Sequence, residues 1–427
     1  MSAETLKITA LIIFIAVYVL LVAVPSKRPY IAIIAAIVFV FLGIMPISKV
    51  SDAINWNVLM MLAGTMGTVS LFIESKMPNR LADMLLKLTP NVMWVAVVMS
   101  LFAGVVSAFV DNVATVLMIA PVGLAIAKRM DISPVPMLIS ISVSSNLQGA
   151  ATLVGDTTSI MLGGYANMDF MDFFFMQGRF SIFWAVELGA LATIPVIMFI
   201  FRKNRQKVES ETMTEATNHV PGVLLVLTVV LLIAASFIPN KPELTNGIIC
   251  MAICIIGLIH AHFSHLSTAS VVESLKEIDF ETLFLLAGLF VVIGGITNVG
   301  IIKDISNIFI NIGGDNLFIM YTLIVFGSVI FSAFIDNIPY VATMLPVVQG
   351  IALTMGVNPI LLYFGLLCGA TLGGNLTPIG ASANIVTIGL LRKNGYNVKT
   401  SDFLKIGVPF TLVAVVVGYL FCWFVWA

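Results

Sequence analysis

VSAFVDNVATVLMIAP at residues 106–121 and FSAFIDNIPYVATMLP at residues 331–346 spell one motif twice in this chain. Ser107 aligns with Ser332, Asp111 with Asp336, Asn112 with Asn337 and Pro121 with Pro346, every pair 225 positions apart (336 − 111 = 225). The same offset lays Thr152-Leu153-Val154-Gly155 on Thr377-Pro378-Ile379-Gly380. An Asp-Asn pair embedded in apolar sequence, and then repeated, marks a paired ion site buried in a membrane.

The surrounding composition excludes a soluble globule. Of 427 residues, 59% are hydrophobic and only 10% charged, and the mean hydropathy is +1.08. A soluble chain of this size needs far more charge to cover its surface. Many runs of about 20 apolar residues are each long enough to cross a bilayer as a helix. The expected fold class is therefore an all-α polytopic membrane protein. No basic tract suggests nucleic acid. The four cysteines lie in apolar segments without metal-type spacing and read as packing thiols. No Gly-Lys-Ser/Thr loop is present, so ATP would have to act through a separate subunit. Beyond the aspartates there is no nucleophile or metal cluster of the kind an enzyme needs. The opening MSAETLK lacks a basic n-region, so the first apolar run reads as a retained helix.

The apolar runs fall into an N-terminal transmembrane repeat (1–201), a cytoplasmic linker (202–221) and a C-terminal repeat (222–427). In the first, spans are expected near 6–25, 29–47 and 55–74, then an amphipathic stretch at 78–89, a long apolar passage at 91–127, an interrupted segment at 134–164 and a span at 180–201. The second repeats the order with spans near 222–239, 244–262 and 280–299, a passage at 316–353, an interrupted segment at 358–391 and a last span at 406–426. Phe173 to Phe175, beside Met171 and Met176, suggest an interfacial helix. His260, His262 and His265 cluster near a helix end and read as interfacial.

A straight helix over 91–127 would be about 55 Å long, nearly twice the hydrocarbon thickness. The passage is either two crossings or one re-entrant hairpin. A mid-membrane loop is tolerable only where protein or a water-filled cavity surrounds it, and Asp-Asn at the tip suits such a place. Counting the hairpins as non-crossing gives five crossings per half, an odd number, so the two repeats have inverted topology. With the linker cytoplasmic, only Lys7, Lys49, Arg179, Lys241 and Lys303 of the 21 basic residues lie outside, as the positive-inside rule asks. Both termini are then extracytoplasmic, in an inner or plasma membrane.

A carboxylate at bilayer depth costs several kcal/mol unless it is paired, protonated or bound to a cation. No Lys or Arg lies within fifteen residues of Asp111 or Asp336. A protonated cap on a broken backbone would explain one such residue; two in corresponding places read as a site. Each interrupted segment adds to it. SSNLQGAATLVGDTTSI (144–160) and GATLGGNLTPIGASANI (369–385) pack Gly, Ser, Thr and Asn into a spanning helix. Glycine permits unusual backbone angles, and unwinding frees carbonyls and helix ends that hold ions. The candidate ion or substrate ligands are Asp111, Asn112, Asn146, Gly149, Thr152, Gly155 and Asp156, with Asp336, Asn337, Gly374, Asn375, Thr377, Gly380, Ser382 and Asn384. Asp111, Asn112, Asp336 and Asn337 are the candidates for sodium. Asp156 has Ala381 as its counterpart, so the halves are not expected to bind identically. Glu187, some eight residues into its span, is a weaker proton-carrier candidate.

FVDNVATVLMIAPV (109–122), NLQGAATLVGD (146–156), IDNIPYVATMLPV (335–347) and GGNLTPIGASANIV (373–386) resemble, in order and spacing, the ArsB/NhaD branch of the ion-transporter superfamily. More specifically the chain resembles the branch's P-protein-like, SLC13-like permeases, with a citrate-transporter-like domain. The resemblance implies a scaffold domain, a mobile domain of hairpins and unwound helices, an elevator motion and a homodimer. Related dicarboxylate carriers have Ser-Asn-Thr at the hairpin tips, where this chain has Asp111-Asn112-Val113 and Asp336-Asn337-Ile338. The expected function is ion-coupled secondary transport, first as sodium/proton exchange. The alternative is a sodium- or proton-coupled permease for an anion or oxyacid such as arsenite, antimonite or a carboxylate. No cofactor is expected apart from a bound sodium ion.

Overall fold

Short polar caps, glycines and prolines cut the apolar sequence into nineteen α-helices in the computed structural model, which describes residues 2–87, 89–207, 218–264 and 278–427. In the first half these are α1 (Ala3–Ala23), α2 (Arg28–Phe41), α3 (Val50–Ala53), α4 (Trp56–Glu74), α5 (Met77–Leu86), α6 (Val92–Ser107), α7 (Asn112–Arg129), α8 (Pro134–Gly149), α9 (Thr157–Ala166) and α10 (Ile182–Ile200). The second half holds α11 (Val220–Ser236), α12 (Thr245–Phe263), α13 (Phe280–Asn298), α14 (Ile301–Gly313), α15 (Leu317–Ser332), α16 (Asn337–Met355), α17 (Ile360–Gly373), α18 (Ser382–Lys393) and α19 (Thr400–Trp426).

The caps recur with the repeat. Asn91 Oδ1 accepts from the Trp94 amide at 3.2 Å to start α6, and Asn316, 225 residues on, accepts from the Phe318 amide at 2.9 Å to start α15. Asn55 and Asp279, 224 apart, cap α4 and α13 in the same way. A side-chain acceptor at this position satisfies amides that have no carbonyl within the helix. The passage at 91–127 therefore breaks at 108–111 into two arms of 16 and 18 residues, about 24 and 27 Å long.

Several expectations shift. The span at 29–47 ends at Phe41, because Gly43 turns the chain at φ 73° and Pro46 follows. The amphipathic α14, counterpart of α5, was not anticipated. The interfacial helix at Phe173–Phe175 is instead one 3-10 turn, Met171–Phe173, leading into a two-stranded hairpin of β1 (Phe175–Met176) and β2 (Arg179–Phe180). Residues 208–217 of the linker, and His265, lie outside the described residues.

The halves interlock by exchange: α2 packs on α13, and its counterpart α12 packs on α4. Gly64 on α4 lies against the Cys250 backbone, and Gly288 on α13 against the Ala32 backbone, close approaches that only a small residue allows. The counterparts α10 and α19 run antiparallel. At one end Arg179 donates to the Val425 carbonyl at 2.8 Å, and at the other Arg202 and Lys203 share a crevice with Lys405. The hairpins approach the centre from opposite ends of α4. α7 leads back to α5, just past the C-terminal end of α4. α16 leads to Gln349, which accepts from Tyr165, next to Gly164 and the Asn55 cap of α4. α8 and α17 are the most buried helices, and α17 is buried along its whole length. α1 and α11 expose rows of Ile and Val.

Candidate functional site

Each hairpin tip is built by its aspartate. The Asp111 carboxylate accepts from the Val113 and Ala114 amides at 2.9 and 3.2 Å, starting α7. Asp336 accepts from the Ile338 amide at 3.2 Å, starting α16. Capping leaves carboxylate lone pairs for other partners, while the amino end of the helix favours the negative charge.

Opposite each tip the membrane helix is unwound. α8 stops at Gly149 and α9 begins after Asp156; α17 stops at Gly373 and α18 begins after Ala381. Thr152 donates to the Ala108 carbonyl of the first tip, and Thr377 donates to the Ala333 carbonyl of the second. A β-carbon on Gly155 would meet the carbonyl oxygens of Gly149, Ala108 and Ser107; one on Gly380 would meet those of Gly374, Ser332 and Ala333. These eight residues form the same contact twice at the 225 offset. The threonine and glycine spacing in the sequence thus encodes how a loop clasps a hairpin.

Between the tips lies a cavity of about 390 Å³. Of the residues singled out from sequence, Asp111, Asn112, Asn146, Asp156, Asp336, Asn337 and Ser382 line it. Asn112 donates to Asn146 at 2.9 Å, and Ser382 donates to Asp336 at 3.1 Å. Asp156 accepts from Thr158 at 2.9 Å and lies within Coulombic reach of both Asp111 and Asp336. The remainder brace the site from behind. Gly149, Thr152, Gly155, Gly374, Thr377 and Gly380 form the two clasps. Asn146 and Asn375 tie α8 to the end of α17, with Asn146 donating to the Thr371 carbonyl at 2.8 Å and Asn375 to the Val143 carbonyl at 2.9 Å. Asn384 donates to the Gly374 and Thr377 carbonyls at 3.1 and 3.2 Å, pinning the second unwound stretch. Glu187 sits on α10 and is not among the cavity's lining residues.

Two participants escaped the sequence. Arg28, at the start of α2, places Nη1 2.8 Å from Asp336 Oδ2, with both side chains largely buried. The local sequence around Asp336 offers no cation, yet one arrives from 308 residues away. The lack of a nearby Lys or Arg in the sequence therefore does not leave Asp336 without a cation: a largely buried arginine supplies one through the fold. Asp279 also lines the cavity, where its carboxylate accepts from the Thr282 amide at 3.0 Å. Its Asn55 counterpart could have flagged a cap but not a site. Among the described residues no three His, Cys, Asp or Glu side chains form a metal cluster.

A many-helix apolar chain with two polar hairpins meeting at an acidic cavity is a membrane transporter. The citrate-transporter family model (CitMHS) matches residues 18–369, and the chain belongs to that family. It is 30% identical over 429 residues to the uncharacterized transporter Rv2685 of Mycobacterium tuberculosis, covering 98% of each chain. It is 26% identical to the human P protein over 96% of this chain and 58% of that one. The YdaH transporter of Alcanivorax borkumensis shares the fold with a TM-score of 0.60, at 11% identity over 88% of this chain and 86% of that one. MtrF of Neisseria gonorrhoeae follows at 0.58 and 14% identity, over 92% and 85%. These likenesses agree with a transporter and not an enzyme, and with a multi-pass membrane location.

Proposed function

We propose that the protein is an ion-coupled secondary transporter whose cargo cation, sodium or a proton, binds between Asp111 and Asp156 at the first hairpin. The observation that carries this reading is charge. Four carboxylates (Asp111, Asp156, Asp279 and Asp336) line one cavity, and among the described residues only Arg28 makes an ion pair with any of them. Like charges crowded in a low dielectric stay ionised only with a cation among them, and otherwise take up protons. Sodium/proton exchange is the leading form: the carboxylates alternate between holding the metal ion and holding protons.

Inverted repeats are supported by the antiparallel α10–α19 pair and by hairpins entering from opposite ends of α4. In that arrangement the hairpins and unwound helices move against α2, α4, α12 and α13 as an elevator, and a homodimer of the scaffolds would brace the motion. The linker is cytoplasmic and both termini are outside in this scheme, in a plasma or inner membrane.

A second reading has its own observation. A cavity of about 390 Å³ has the size of a small-molecule pocket rather than a bare-ion site, and the family model is named for citrate. There the bound cations would neutralise the aspartates and let an anion or oxyacid enter with them. Purified protein in proteoliposomes, with sodium, pH and citrate or arsenite gradients imposed separately, distinguishes the two. Sodium-driven proton flux without any anion supports exchange. Flux that appears only with the anion supports the permease, and flux with neither rejects both.

A further inference from the structure

The two hairpin tips share a backbone, but their surroundings are unequal. Gly64 on α4 meets the Cys250 backbone and Gly288 on α13 meets the Ala32 backbone, so Ala32 on α2 corresponds to Cys250 on α12. Four residues earlier in each helix, Arg28 corresponds to Asn246. Arg28 reaches the second tip: Nη1 is 2.8 Å from Asp336, while Nε is anchored on the Leu21 carbonyl at 3.1 Å. Tyr18 seats the same α1–α2 corner on the hairpin by donating to the Pro339 carbonyl at 2.7 Å. The equivalent α11–α12 corner is turned elsewhere. Asn246 accepts from Lys241 at 3.2 Å, and the Lys241 charge is taken by Asp169. Among the described residues no ion pair involves Asp111 or Asp156. One tip has a built-in cation, and the other is left open.

We propose that Arg28 is a resident counter-ion for Asp336 that competes with the cargo cation, so that the second half-site accepts an ion only after Arg28 has withdrawn. The proposal rests on the cation-binding reading above. Arg28 and Ser382 both sit on Asp336 Oδ2 while the Ile338 amide takes Oδ1, so an incoming metal ion meets a carboxylate whose acceptor sites are largely taken and whose charge a guanidinium already balances. Arg28 is fixed to the α2 end, which packs on α13, whereas Asp336 belongs to the hairpin, so the pair spans two groups of helices. Breaking it without a replacement leaves a largely buried carboxylate uncompensated, which is unfavourable. A cation that takes the place Arg28 has left at Asp336 removes that penalty, so ion binding holds the hairpin unlatched from α2.

The test is a sodium titration of the purified full-length protein, read as thermal stabilisation in detergent, with choline chloride holding ionic strength constant. Ligand binding to the folded state raises stability as RT ln(1 + L/Kd), with L the free ligand concentration, so fitting that curve to the thermal shifts gives the sodium midpoint, Kd. Arg28→Gln removes the competitor and is expected to lower the sodium midpoint about tenfold. Arg28→Lys, which retains the charge, is expected to stay near wild type. Adding Asp336→Asn to Arg28→Gln is expected to abolish the gain, a dependence that a purely structural arginine would not show. An Arg28→Gln midpoint at or above wild type, a gain that survives Asp336→Asn, or failure of both Arg28 variants to fold would overturn the proposal. If wild type shows stabilisation by neither sodium nor protons, the cation reading fails and takes the proposal with it. If wild type responds but Arg28→Gln matches it, only the proposal falls.

Discussion

Around the first hairpin, Asp111 and Asp156 face the cavity with no cation paired to either among the described residues; around the second, Asp336 has Arg28 against it and Ala381 stands where the first half has Asp156. The backbone of the two places is nearly the same. Thr152 and Thr377 clasp equivalent carbonyls, and Gly155 and Gly380 admit the same close approach. Duplication preserved the clasp, where any change meets a neighbouring carbonyl, and let the charges diverge, where a change meets only the cavity. A paired fold therefore need not contain two equal ion sites.

The largest expected effect falls on that inequality. Asp111→Asn removes a charge-assisted ligand worth about 3 kcal/mol, and sodium affinity should fall about 100-fold in a binding assay. Asp336→Asn should cost much less affinity while altering coupling, since Arg28 already occupies that carboxylate. Equal losses in the two variants would break the comparison. Next come the clasps, where the halves should behave alike. Gly155→Ala and Gly380→Ala each press a methyl into hairpin carbonyls, and overpacking of this kind costs about 3 kcal/mol. Both should lower the thermal midpoint in detergent by similar amounts. Thr152→Val and Thr377→Val each strip a hydrogen bond from a buried carbonyl, an effect of about 1–2 kcal/mol read in the same assay. A large difference between the members of either pair would show that the clasps are not equivalent.

The smallest effect tests a place where the halves fill the same gap differently. Gln148 on α8 packs over Gly104 on α6, whereas in the second half Val329 on α15 packs over Gly373 on α17. The Gln148 amide is fully buried, and its oxygen and nitrogen have no hydrogen-bond partner among the described residues. Replacing an unsatisfied polar group by an apolar one of similar shape is near neutral or stabilising. Gln148→Met should shift the thermal midpoint slightly upward, with transport measured alongside. Loss of transport in a stable variant would give the amide a functional role that Val329 and Gly373 do not share.

The sequence carried the repeating elements because local chemistry writes them. An Asp or Asn cap followed by an apolar run starts a helix wherever it stands, so Asn91, Asp111, Asn316 and Asp336 placed the ends of four helices. The glycine-rich interruptions of α8 and α17 were legible for the same reason. The length of α2 was harder to read, because Leu42 to Met45 are as apolar as the helix they follow and only the turn at Gly43 ends it. Arg28 could not be found at all: its meeting with Asp336 depends on how α2 is held against α13, a long-range packing result with no trace near either residue. Asp279 was hidden in a different way, since a cap and a cavity wall look identical in one dimension.

The central claim is that two polar hairpins enter from opposite faces of the membrane and meet at one acidic cavity. Cysteines placed singly at Pro90, Lys128, Asp315 and Thr354 mark the outer ends of the hairpins, in a chain whose own four cysteines are all buried. A membrane-impermeant maleimide should label positions 90 and 128 from one side of sealed vesicles and positions 315 and 354 only from the other. Labelling of all four from the same side would make the repeats parallel and contradict the account.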